Sequence, residues 1–154
     1  MKELLAPAGS SEAFYAAVSN GADAVYLGLS SFSARAYAQN FDVDSLVEFV
    51  GYAHLRNVKV YVAMNTILYD YELDSAFETV DKLASIGIDA IIVQDLALLD
   101  YITRNYSSIE AHISTQVGID DINGVTFVKN IGSTIFTNFA IFSFEKAFFI
   151  IGVL

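Results

Sequence analysis

Asp89-Ala90-Ile91-Ile92-Val93-Gln94-Asp95 is a short apolar run that hardly alternates and ends in two polar residues. A strand buried on both faces of a parallel sheet reads this way, because neither side of it meets water. Upstream, residues 81–86 close a helical pattern, and Gly87 stands where a helix C-cap favours a left-handed residue. Downstream, Leu96, Leu98, Leu99 and Ile102 restart a helical spacing. The unit is helix, glycine, buried strand, polar strand end, helix.

Outward from this stretch the unit repeats. Residues 4–6 open a strand, and Ser10 or Ser11 can cap a helix striped by Ala13, Phe14, Ala17 and Val18. Residues 24–28 form a second strand, followed by a long polar and aromatic insertion over 29–41. Asp42 or Asp44 caps the next helix, striped by Leu46, Val47, Phe49, Val50 and Ala53. A third strand over 58–65 precedes a helix at 73–86, and a strand over 110–116 precedes a largely helical 117–131. Strands and helices alternating at about thirty residues per unit predict βαβ units on a parallel sheet.

The rhythm fails after Gly132. Six of the 12 phenylalanines fall in the last 22 residues, and a sixth strand is weakly written at 134–137. The expected division is a β/α domain over 1–132 and an aberrant apolar tail over 133–154. The clean apolar run 147–154 is far shorter than the roughly 20 residues a membrane span needs, so no span is expected.

Composition narrows the function classes. With 154 residues, 55% hydrophobic and 17% charged, the chain is one ordered domain's worth of sequence with a large core. It contains no cysteine, which excludes disulfides, a cysteine nucleophile and a Cys-ligated iron–sulfur cluster within this chain; any other cofactor is left unassigned. The N-terminus has no signal-peptide pattern, and a cytoplasmic location is expected. Net charge is −10 and the eight basic residues are scattered, so no direct nucleic-acid patch is written.

Residues two apart on a strand share a face. That alternation puts Tyr26, Asn65, Gln94, His112, Ser114 and Gln116 on one face, several at strand C-terminal ends, against an aliphatic opposite face. Parallel barrels carry their sites at that end. Two readings stand side by side: a substrate rim, or amides that tether loops and satisfy one another. On the first, His112 is the proton-transfer group because imidazole titrates nearest neutrality, and Asn65, Gln94 and Gln116 orient substrate. Ser114 lacks a nucleophile elbow and is given no nucleophilic role. His54 and His112 are the only histidines and show no zinc-binding spacing, so no metal site is expected. Arg35, within the insertion, either clamps an anionic group or pairs with a carboxylate of the chain.

Several segments together resemble the collagenase-like peptidase family U32. They are 3–10 (ELLAPAGS), 24–28 (AVYLG), 32–37 (FSARAY) with Asn40-Phe41, 59–62 (KVYV) with Asn65-Thr66, 89–95 (DAIIVQD) and 112–116 (HISTQ). The resemblance implies the first five to six units of a TIM-type (β/α)8 barrel, an α/β fold left incomplete, as in a truncated member. It implies a peptidase acting on peptide or, alternatively, a part in hydroxylating RNA bases or a quinone precursor. Family members that bind iron–sulfur clusters use cysteines further along the chain. A third reading is a non-catalytic remnant, since the barrel cannot close and the charged Arg-Glu ending of the family's sixth strand is replaced by Thr137-Asn138-Phe139. An open sheet edge and a phenylalanine-rich tail make self-association expected.

Overall fold

The structure, a computed structural model, describes residues 3–34, 41–133 and 135–136. Six parallel strands lie in sequential order: β1 (Leu5–Ala8), β2 (Ala24–Gly28), β3 (Lys59–Met64), β4 (Ala90–Val93), β5 (Glu110–Ile113) and β6 (Ile135–Phe136). Five helices connect them: α1 (Ser11–Ser19), α2 (Leu46–His54), α3 (Leu73–Ile86), α4 (Leu96–Asn105) and α5 (Ile122–Ile131). Strand order never reverses, as it would in a doubly wound sheet, and the arrangement is that of an incomplete barrel. The expected tail falls largely on residues outside those described. No helix among the described residues is long and apolar enough to cross a membrane.

Local chemistry sets the element ends. The Ser10 hydroxyl accepts from the Ala13 N–H at the start of α1, and Asp95 Oδ1 accepts from Ala97 and Leu98 at the start of α4. Asp95 is thus spent on a cap. Gly87 ends α3 at φ 85°, the left-handed conformation that favours glycine. Before α2 the chain makes a short turn at Val43–Ser45, and neither Asp42 nor Asp44 is seen to cap it by side chain. β1 runs through Pro7 to Ala8, two residues beyond the expected end.

One device appears twice. In Gly21-Ala22-Asp23-Ala24, the Asp23 N–H donates to the Leu4 carbonyl (2.9 Å) and Asp23 Oδ2 accepts from the Leu4 N–H (2.7 Å). In Gly87-Ile88-Asp89-Ala90, Asp89 closes the same ring on Val60, at 3.0 and 2.7 Å. Each aspartate satisfies both polar groups of a residue at the start of the preceding strand. Asp89 Oδ2 also meets His54 Nε2 at 2.9 Å, tying the end of α2 to the sheet.

The core has two sides. Val25, Leu27, Val60, Val62, Ile91 and Val93 face the helices and pack with Phe14, Leu46, Leu83, Leu98 and Ile102. Leu5, Ala24, Tyr26, Tyr61, Ala90 and Ile92 form a smaller cluster on the opposite, inner face. The insertion after β2 is closed at its base: Phe41 donates to the Gly28 carbonyl and its own carbonyl accepts from Ser30 (both 3.1 Å). The Phe41 ring packs edge-on to Phe14 and Phe49, which anchors the return of the loop.

Candidate functional site at the strand ends

Strand register sorts the inner face into rows. Pro7, Tyr26, Tyr61, Ala90 and Glu110 are successive partners, and Gly28, Ala63, Ile92 and His112 form the next row toward the C-terminal ends. One step beyond lie Asn65, Gln94 and Ser114, each immediately past or near the end of its strand. Asn65 Oδ1 accepts from the Ala34 N–H (3.3 Å), so the end of β3 holds the insertion just before Arg35. Gln94 Nε2 donates to the Gln116 carbonyl (3.4 Å), linking the ends of β4 and β5. Ser114 Oγ accepts from the Gln116 N–H and caps the turn Thr115–Val117. These bonds are long, and among the described residues each amide side chain uses one of its several donor and acceptor positions.

Below the rim, ionisable groups converge. His112 is buried, 1% exposed, with its ring edge-on to Tyr61 at 4.9 Å between centroids. Its Nε2 lies 3.1 Å from Glu110 Oε2. Lys59 Nζ lies 3.5 Å from Glu3 and 3.8 Å from Glu110, and the Tyr61 hydroxyl donates to Glu3 at 2.6 Å. Burial holds the His112 imidazole below its ordinary pKa, opposed by its bond to Glu110 and the charges of Glu110 and Glu3. Burial, and then the Glu3 bond, push the Tyr61 hydroxyl well up. Among the described residues, no cluster of three or more His, Cys, Asp or Glu side chains could hold a metal ion.

Against the single rim expected from sequence, the six strand residues divide by depth. Asn65, Gln94 and Ser114 stand at the rim. Tyr26 is two rows lower, in the inner cluster, and His112 is one row lower with its imidazole on Glu110. Gln116 does not share the face by alternation: β5 stops at Ile113 and the chain turns, so Gln116 is exposed and meets Gln94 through its main chain. Arg35 lies outside the described residues. Glu3, Lys59, Tyr61 and Glu110 were not singled out from sequence, although Lys59/Tyr61 and Glu110/His112 each recur at the spacing of two that shares a face.

A sequential parallel sheet with helices packed on one face, and polar side chains where its strands end, defines a partial (β/α) barrel. The chain belongs to peptidase family U32, whose model matches residues 9–135. It is 39% identical over 132 residues to the 23S rRNA 5-hydroxycytidine C2501 synthase of Escherichia coli, covering 86% of this chain and 20% of that protein. It is 39% identical to the uncharacterized protease MJ0090 of Methanocaldococcus jannaschii, over 77% of this chain and 29% of that protein. A collagenase of Porphyromonas gingivalis is 32% identical, over 86% of this chain and 32% of its own length. The chain therefore spans a third or less of these curated relatives. Among solved structures, the U32 peptidase Mk0906 superposes with a TM-score of 0.71 at 17% identity, covering 90% of this chain and 58% of that one.

Proposed function

We propose that this chain supplies the first part of a U32-family hydrolase site acting on polypeptide in the cytoplasm, with substrate lying over the C-terminal ends of β2–β5. The supporting observation is the placement of Asn65, Gln94 and Ser114 in one row above the buried His112, whose imidazole meets the half-exposed Glu110. Amide and hydroxyl side chains match the alternating donors and acceptors of a peptide backbone. His112 is the proton-transfer group of this reading, Glu110 its carboxylate partner, and Tyr26 part of the floor beneath it. Gln116 and Arg35 complete the substrate contacts, Arg35 meeting an anionic group from the insertion. The test is release of fluorescence from quenched gelatin by the complete protein, and its loss in His112→Ala. Undiminished turnover in that variant overturns the role of His112.

A second reading is supported by the synthase relative, whose name specifies hydroxylation of an RNA base. It puts a nucleobase at the same row of amides, which suit the polar edge of a base as well as a peptide group. Nucleoside mass spectrometry of RNA from cells with and without this protein separates the two. Loss of a hydroxylated nucleoside without any protease activity decides for the second, and neither signal decides for a non-catalytic chain.

A further inference from the structure

The loop from β3 to α3 carries three large apolar side chains into water. Ile67, Tyr69 and Tyr71 are 75%, 63% and 80% exposed, within five residues of one another. Isolated exposed apolar residues are ordinary, but three on one short loop form a patch. The two tyrosine rings lie parallel, 5° apart in plane with centroids 5.5 Å apart. The loop is held in shape: Leu68 packs on the core, the Tyr69 N–H donates to Glu72 Oε2 (2.9 Å), and the Glu72 N–H donates to the Tyr69 carbonyl (2.8 Å). The rings are thus displayed on an ordered turn, which lowers the entropy a binding partner must offset.

Charge selects the partner. Asp70, Glu72 and Asp74 alternate with or closely follow the tyrosines in sequence, and no Lys or Arg occurs in sequence between Lys59 and Lys82. Aromatic faces beside carboxylates attract cations and repel phosphate. The same chain contains such a contact, with Arg56 Cζ 3.7 Å from the centroid of Tyr52. The loop also starts at Asn65, so it leaves the sheet at the same C-terminal end as the rim. We propose that this loop docks a cationic stretch of polypeptide, its arginine or lysine side chains lying against Tyr69 and Tyr71 among the three carboxylates. The proposal rests on the polypeptide reading of the site and names the substrate feature recognised outside it.

Fluorescence anisotropy with a fluorescein-labelled peptide of alternating Arg and Gly tests this without requiring turnover. Tyr69→Ala with Tyr71→Ala leaves the charge unaltered and is expected to weaken binding by about fivefold or more, from two exposed cation–π contacts. Tyr69→Phe with Tyr71→Phe is expected to retain binding, and the same peptide with citrulline for arginine to lose it. Unchanged affinity in the double alanine variant means that the overall negative field, not the loop, holds the peptide, and overturns the proposal. Tighter binding of a labelled oligouridine overturns it in favour of nucleic acid. Ring-dependent binding without cleavage of any peptide leaves the docking loop standing and removes the hydrolase reading. Cleavage indifferent to the rings does the reverse.

Discussion

Low on the inner face, from the N-terminal ends of β3 and β5 up to His112, ionisable side chains contact one another, whereas the inner-face row just past the C-terminal ends, Asn65, Gln94 and Ser114, is uncharged. Glu3, Lys59, Tyr61, Glu110 and His112 form one continuous set of contacts, with Asp89 and His54 paired nearby. Among the described residues, the side chains of Asn65, Gln94 and Ser114 instead take single main-chain partners at 3.3–3.4 Å. Lys59, Glu110 and His54 keep about two fifths of their side chains in water, so their ion pairs add little, and the stability at this end lies in the buried Tyr61 and His112 rings and the groups that satisfy them. Amides at a strand end tolerate a loose partner and can exchange it for a ligand. The difference assigns stability to one end of the sheet and recognition to the other.

The largest effect is expected at the lower row. Tyr61→Ala removes a ring that is fully buried between Tyr26 and His112, and takes the Glu3 hydrogen bond with it. Loss of an aromatic core side chain costs about 3–5 kcal/mol, read as a shift in the urea midpoint. A loss under about 1 kcal/mol, the range of an ordinary surface change, ends the claim that this end carries stability.

The duplicated aspartate ring gives an internal control of intermediate size. Asp89→Ala strands the N–H of Val60, which is fully buried, and releases His54; a loss of about 1–3 kcal/mol is expected. Asp23→Ala makes the same deletion around the exposed Leu4, where water replaces the carboxylate, and about 1 kcal/mol or less is expected. Equal costs at the two positions show that burial of the strand start is not what matters.

His112 predicts a pH dependence of stability. Burial depresses its folded pKa, so between that value and the unfolded value of about 6.5 the unfolded chain binds more protons. Its contribution is therefore complete above about pH 6.5 and is lost progressively as pH falls from there through the lower folded value. The described groups facing it include Glu110, Glu3, Lys59 and Tyr61, of which the two carboxylates oppose the trend. The difference in unfolding free energy between the native chain and His112→Gln, followed by urea titration from neutral to mildly acidic pH, isolates this group. A difference that grows as pH falls shows that Glu110 outweighs burial.

Where the sequence was legible and where it was not follows from the range of the interactions. The buried run 90–93 and the cap glycine Gly87 are local patterns, and both stand in the structure as β4 and the end of α3. The face shared by Tyr26 and His112 follows from alternation inside regular strands. Gln116 escaped that logic because β5 ends at Ile113, and nothing in the apolar pattern marks where a ladder stops. The charged network was invisible for a different reason: Glu3 and Tyr61 are 58 residues apart, and only strand register brings them together. Depth likewise cannot be read from alternation, which fixes a side chain's face but not its row, and so His112 and Ser114 looked equivalent.

The smallest effect is expected at the rim, and it bears most directly on the division. Asn65→Ala removes a 3.3 Å bond to the N–H of Ala34, a residue that is itself exposed. Gln94→Ala removes a 3.4 Å bond to a carbonyl on an exposed residue. Water can take over both partners, so each change should alter unfolding free energy by no more than about 0.5 kcal/mol. The local consequence differs from the global one. With Asn65 gone, amide hydrogen exchange at Ala34 should quicken while exchange in Val60–Val62 stays unchanged, because the strand ladder does not depend on the side chain. A rim substitution that destabilises as much as Asp89→Ala would mean that these amides are structural tethers, and would remove the reason for placing substrate over them. Local loosening at Ala34 with global stability intact leaves Asn65 available to exchange its loop partner for a ligand, which is what a recognition surface at this end requires.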